Sequence, residues 1–233
     1  RASAIGIGTV ESAAGAGGKA TSAVTLVDRV RVAAKNITTE KVGPAAPIRH
    51  SAPAFRVIAG TPGPFAVDCF SRKQSASLRE TSSWFLTHFH SDHYHGLTKS
   101  FKRGTVYCTE TTARLVHHGL QVPLDHMRIL RLDTPTAVDG VRVTALDANH
   151  CPGAAMFLFE PAGEAPTLHM GDCRCCSAMT RSPFLSRLRF GQCKLILDTT
   201  YCSTQYRHFP EKKSVIAAVV DIVRAELASN PDA

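Results

Sequence analysis

The chain has 233 residues, 44% of them hydrophobic, which is enough for one domain with a real core plus a tail or the start of a second domain. Its formal net charge is +8, but residues 1–67 hold eight basic against three acidic residues, while residues 68–233 hold nineteen against sixteen. The more structured part is thus close to neutral, so charge alone gives only weak support for a nucleic-acid partner; no apolar run reaches the roughly 18–20 residues of a bilayer span, which argues against a membrane protein.

Residues 1–53 are rich in Ala, Gly, Ser, Thr and Pro and offer one amphipathic stretch, Val24 to Ala34. They read as a low-complexity linker or disordered extension. The chain begins with Arg1 rather than Met, and both ends are expected to be cuts in a longer protein. Phe55-Arg-Val-Ile-Ala, a Gly/Pro turn and Phe65-Ala-Val-Asp68 predict a short β-hairpin. Strands are then expected at Trp84–Thr87, Thr105–Cys108, Val141–Leu146, Ala155–Phe159, Thr167–Met170 and Lys194–Leu197. Helices are expected at Thr111–Gly119, with Gly119 as the C-terminal stop, and at Ser214–Leu227. Many strands with few helices in mixed order point to an α/β or α+β sandwich.

Eight cysteines, at 69, 108, 151, 173, 175, 176, 193 and 202, form no regular framework. Cys173, Cys175 and Cys176 have no second cluster to complete a four-ligand metal site, so the expectation is reduced, mostly buried thiols of an intracellular protein.

The chemistry-bearing residues fall just past strand ends. His88, His90, Asp92 and His93 follow Trp84–Thr87; His150 follows Val141–Leu146; Asp172 follows Thr167–Met170; Asp198 follows Lys194–Leu197. Strand ends of one sheet can converge at one edge, so these residues could share a pocket. Three imidazoles and a carboxylate within six residues are the donor set that suits Zn²⁺, and their desolvation is costly unless something binds them. Six such groups exceed one tetrahedral ion with an open position and imply two metals. An exposed polar loop is the bland alternative for this cluster. His95, His117, His118, His126 and His208 read as solvated side chains, His169 as part of a strand, and Arg174 as structural.

Four segments carry a resemblance. Leu86-Thr-His-Phe-His-Ser-Asp-His-Tyr, Leu146-Asp-Ala-Asn-His-Cys-Pro-Gly-Ala, Gly171-Asp-Cys-Arg and Leu197-Asp-Thr-Thr-Tyr-Cys resemble successive motifs of the DNA cross-link repair nucleases of the metallo-β-lactamase/β-CASP superfamily, the group of Artemis and Apollo. The resemblance runs from about Phe55 to Tyr206. It implies a four-layer αββα metallo-β-lactamase sandwich, of which the N-terminal part, residues 54–202, is present, with 203–233 opening a β-CASP region.

The resemblance further implies that His88, His90, His150 and Asp172 hold one zinc, and that Asp92 and His93 hold a second ion, zinc, Mg²⁺ or Mn²⁺, with Asp172 as the bridge. Asp92, Asp172, Asp198 and Asp68 are then the acids expected to serve catalysis, Asp68 by orienting ligands and Asp198 by supporting the site or a distant histidine. The last histidine ligand of the family lies beyond Ala233. One departure stands out: the usual Gly-Asp-Phe-Arg is Gly-Asp-Cys173-Arg here. The implied function is 5′–3′ hydrolysis of 5′-phosphorylated DNA in cross-link and double-strand break repair, in the nucleus. The alternatives are an RNA-processing or small-molecule hydrolase of the same fold, or a catalytically incomplete DNA-binding fragment.

Overall fold

The computed structural model describes residues 5–7, 54–58, 63–73, 78–188, 192–208 and 210–229. Residues Arg1–Thr200 form one unit and Tyr201–Ala233 a second.

The first unit is built from two sheets. One has five strands in the order β2-β3-β4-β5-β6: β2 (Val57–Ile58), β3 (Phe65–Val67), β4 (Ser83–Phe85), β5 (Thr105–Cys108) and β6 (Met127–Ile129). The antiparallel β2/β3 pair is the predicted hairpin, and the remaining pairs are parallel. The other sheet has six strands in the order β1-β11-β10-β9-β8-β7: β1 (Ile5–Ile7), β7 (Thr136–Val138), β8 (Val141–Asp147), β9 (Ala155–Glu160), β10 (Thr167–His169) and β11 (Lys194–Asp198). Only the β10/β11 pair is parallel among them. Strand β1 lies in the stretch read as a linker, whose other residues, including Val24 to Ala34, fall outside those described.

The period-2 alternation of the strands decides the layering. Phe65, Val67 and Phe85 of the small sheet meet Val143, Ala145, Ala155, Phe157 and Phe159 of the large one in a shared core. Ala66 and Trp84 point the other way, to pack with Phe70, Phe101 and the helix α1 (Glu110–Leu120) through Ala113 and Val116. On the far side, Met156, Leu158 and Leu168 pack against the short helices α2 (Ser177–Thr180) and α3 (Pro183–Ser186) through Met179 and Leu185. Helix, sheet, sheet and helix layers follow in turn, the αββα sandwich expected from the sequence.

Two local readings differ. Helix α1 does not stop at Gly119: it runs to Leu120, and Gln121 takes the left-handed cap at φ 56°, its N–H bonded to the His117 carbonyl. Gly119 is glycine for another reason, because a Cβ there would lie 2.8 Å from the Phe89 ring. The thiols are free, but only Cys69 and Cys108 are buried; Cys175 is exposed and the other five are intermediate.

The second unit holds one long helix, α4 (Lys212–Ser229), which covers the predicted Ser214–Leu227. None of its described residues is buried within the chain. No helix among the described residues is long and apolar enough to cross a membrane.

Candidate metal centre

The site is built where both sheets end, not along one sheet edge. The small sheet supplies Asp68 after β3 and the His88–His93 turn after β4; the large sheet supplies His150 after β8, Asp172 after β10 and Asp198 at the end of β11. The two halves are joined by the main chain, since the Ala155 N–H donates to the Thr87 carbonyl (2.9 Å). This is why ligands from different layers can meet on rigid supports.

His88, His90, His150 and Asp172 each offer a donor atom, and these atoms all lie within 4.8 Å of one another. His90 Nδ1 is 2.9 Å from His88 Nε2 and 3.3 Å from His150 Nε2. Asp172 Oδ2 lies 3.7 Å from His88 Nε2 and 3.6 Å from His150 Nε2. A tetrahedral ion with bonds near 2.1 Å has ligand–ligand edges of about 3.4 Å. The four groups therefore already have the spacing of a divalent metal cage.

The other Asp172 oxygen faces a different neighbour. Oδ1 is 3.1 Å from His93 Nε2, which is in turn 3.7 Å from Asp92 Oδ2. One carboxylate thus stands between the two groups of residues. Asp92 itself is exposed, with 62% of its side chain accessible, so it lies open to solvent beside the buried His93.

Behind these groups sits a hydrogen-bond network that fixes which nitrogen each imidazole presents. Asp68, buried and held at φ 50°, accepts from the Thr87 N–H (2.9 Å), the Thr87 hydroxyl (2.7 Å) and His93 Nδ1 (2.8 Å). Arg56 donates to the Asp68 carbonyl. The Thr87 hydroxyl has one proton, which goes to Asp68, so His88 Nδ1 must donate to that oxygen across 3.0 Å. His88 and His93 are thereby held through Nδ1 with Nε2 facing the cluster, the nitrogen that a metal would need.

The electrostatics agree. Burial and the neighbouring His93 push His88 down to about 4, and burial likewise lowers His150, so both are neutral imidazoles with free lone pairs. Burial opposes charge on Asp68, yet the charge and hydrogen bond of His93 hold it at about 2. Burial also opposes charge on His93, but Asp68 and Asp172 raise it to about 10. In this state His93 keeps a proton on each nitrogen, donated to Asp68 and Asp172; an ion there would have to displace the one on Nε2. Asp172 is lowered in spite of burial, by His93, His88 and His150. The uncharged nitrogens of His88 and His150 beside the Asp172 carboxylate form a set that fits a divalent cation.

Asp198 is not one of the four grouped residues: it is half-buried, caps its own turn by accepting from the Thr200 N–H (2.9 Å), and its charge acts on His150. His95 is exposed beside the site. Cys173, in place of the expected Phe, packs under it with Sγ 3.7 Å from Met156 Sδ. The sequence reading missed three supports. Thr87 is the hub just described; its signal was its place immediately before His88. Asn149, at φ 53°, donates from Nδ2 to the Arg174 carbonyl (3.0 Å) and ties the His150 turn to the Asp172 turn. His169, buried in β10, accepts from the Gly171 N–H (3.2 Å) beside Asp172.

Residues 63–225 match the beta-lactamase superfamily domain. The chain belongs to that family. Among curated proteins, it is 40% identical to the DNA cross-link repair 1A protein of Mus musculus over 88% of this chain and 19% of that protein. It is also 40% identical to the DNA cross-link repair protein SNM1 of Arabidopsis thaliana over 77% of this chain and 35% of that protein. The 5′ exonuclease Apollo of Gallus gallus is 46% identical over 63% of this chain and 30% of that protein. The chain thus spans about a third or less of the length of these relatives.

Proposed function

We propose that this chain carries most of the catalytic centre of a zinc-dependent 5′–3′ DNA exonuclease acting in interstrand cross-link and double-strand break repair, in the nucleus. The observation that carries the reading is Asp172, whose two oxygens face His88 and His150 on one side and His93 on the other. Asp172 would thus serve two ions, with His88, His90 and His150 completing one set and Asp92 and His93 contributing to the other. Zn²⁺ suits the imidazole-rich set; the more exposed second set, with Asp92, also suits Mg²⁺ or Mn²⁺. The names of the relatives, DNA cross-link repair proteins and a 5′ exonuclease, support DNA as the substrate.

When bound, a divalent pair supplies activation of water and neutralisation of charge on a phosphate. The chain's own residues supply the rest. Asp68 and Thr87 hold His93 and His88 through Nδ1 so that Nε2 of each faces the cluster, and Asn149 holds the His150 turn against the Asp172 turn. Asp198 adds negative charge beside His150 from the end of β11. Residues 54–202 act as the metallo-β-lactamase nuclease part and 203–233 as the opening of a β-CASP region.

The test is cleavage of 5′-phosphorylated single-stranded DNA, with and without chelator, by the wild type and by Asp92→Ala. Loss of cleavage on chelation, recovery on adding Zn²⁺, and a large loss in Asp92→Ala are expected. Chelator-resistant cleavage, or full activity of Asp92→Ala, overturns the assignment.

A further inference from the structure

Charge in the folded part is unevenly placed. Residues 69–79 and 93–109 carry Arg72, Lys73, Arg79, Lys99, Lys102 and Arg103 and no acid, although residues 68–233 hold nineteen basic and sixteen acidic residues. Outside those two segments the same region is net acidic. Both segments spring from the metal centre, one following Asp68 and the other starting at His93.

The fold brings the two segments together. Phe70 and Phe101 pack edge to face with ring centroids 5.6 Å apart, and both lie on Trp84, at 5.9 and 5.5 Å. Gly96, at φ +93°, lets the second segment close on the first: a Cβ there would fall 2.5 Å from the Ser71 backbone. Arg103 is laid over the Trp84 ring at 4.2 Å, and the Trp84 indole N–H donates to its carbonyl (3.1 Å). The charge of Arg72 reaches Arg103, a like-charge approach that costs energy and persists because the aromatic cluster holds it. Arg72, Lys73, Lys99 and Lys102 are exposed along this seam. Asp139, held by the Ser83 hydroxyl at 2.5 Å, lies at the foot of β4, the end away from the metal centre.

Chain length limits how far the ridge begins from the site. Arg72 is four residues past Asp68 and Lys99 six past His93, at most about 14 and 21 Å of extended chain. A strand with one phosphate per 3.4 Å or more covers that in a few nucleotides.

We propose that this ridge, Arg72 and Lys73 on one loop and Lys99 and Lys102 on the other, carries the phosphodiester backbone of the DNA strand leading away from the metal centre. The proposal rests on the nuclease reading above. The ridge holds the strand by charge without reading its bases.

The experiment measures binding of the full chain to 5′-phosphorylated single-stranded DNA from 50 to 200 mM salt, in chelator so that no strand is cut. The wild type is compared with the combined Arg72→Gln, Lys73→Gln, Lys99→Gln, Lys102→Gln variant and with an equally charged control, Arg128→Gln, Arg131→Gln, Arg142→Gln, Arg181→Gln. Thermal midpoint and metal content verify that each variant is folded. Each lost contact lowers the salt slope by about 0.7 for a single strand, so four bring wild-type and variant affinities together by about 50-fold over this range. The control should keep most of the wild-type slope. An unchanged slope in the ridge variant, or an equal loss in the control, overturns the proposal while leaving the nuclease reading intact if the wild type cleaves DNA with added metal. A wild type that neither binds nor cleaves DNA overturns both.

Discussion

Replacing Asp68 by Asn separates the role of the buried hydrogen-bond network from that of the ligands themselves. Asn fits the left-handed φ of 50° at this position and keeps the shape of the side chain. It cannot keep the pattern, because Asp68 accepts three bonds, two from Thr87 and one from His93, while an amide offers one acceptor and two donors. With its oxygen on the Thr87 N–H, its NH₂ faces the Thr87 hydroxyl and His93 Nδ1. The hydroxyl then turns to donate to His88, and both imidazoles are driven to carry their proton on Nε2, the nitrogen facing the cluster. Losing the bond to a charged partner costs roughly 1.5–3 kcal/mol in the metal-free fold. Disturbing the support of two ligands weakens metal binding by roughly 10–100-fold. Asp68→Ala would instead strand three buried donors at roughly 1–3 kcal/mol each, which approaches the whole stability of a domain. Denaturant titration of metal-free protein gives the first figure for Asp68→Asn, and competition with a chromophoric chelator gives the second. Wild-type metal affinity in a folded Asp68→Asn protein would refute the tautomer argument.

Other predictions follow from single residues. Asn149→Gly relieves the backbone at φ 53° but removes the bond to the Arg174 carbonyl, so metal affinity should fall while the denaturation midpoint moves little; unchanged affinity would mean the tie between the two turns is unimportant. Gly171→Ala places a Cβ 2.8 Å from Thr87 Cγ2 at φ +55°, and should lose more than the roughly 1–2 kcal/mol of left-handed strain alone, read by thermal unfolding. Phe85→Ala removes a fully buried ring that meets Phe65, Tyr107, Phe157 and Phe159, and a loss of roughly 3–5 kcal/mol is expected by denaturant unfolding; a loss under 1 kcal/mol would show that the two sheets do not share this core.

Long, periodic or densely polar segments were the legible ones. Strands β8 and β9 read as apolar runs because they are buried along most of their length, β9 at five consecutive positions, and the His88–His93 turn concentrates groups that no core would keep without a partner. Strands β6 and β7 were not anticipated, as three residues carry little periodicity, although Asp139-Gly140, with φ of 44° and 80°, was a hairpin signal between β7 and β8. Gly119 looked like a helix stop because a ring contact with Phe89, distant in sequence, leaves no mark in the local pattern. The supports at Thr87 and Asn149 were hard to read for a related reason: Asp68 and the Arg174 carbonyl, their partners, come from other loops, whereas His169 bonds Gly171 two residues on and leaves no pattern that marks it. The meeting of the two sheets explains why ligands from separate strand ends share one centre, which a single sheet edge would not have given.

The most direct measurement is to count metal ions per chain by native mass spectrometry after chelation and reloading with Zn²⁺, for the wild type, His88→Ala and Asp92→Ala. A dinuclear centre predicts that Asp92→Ala keeps the ion held by His88, His90, His150 and Asp172 and loses the other, while His88→Ala loses the first. Wild-type protein that takes up no metal, or variants that both retain the full wild-type complement, would contradict it.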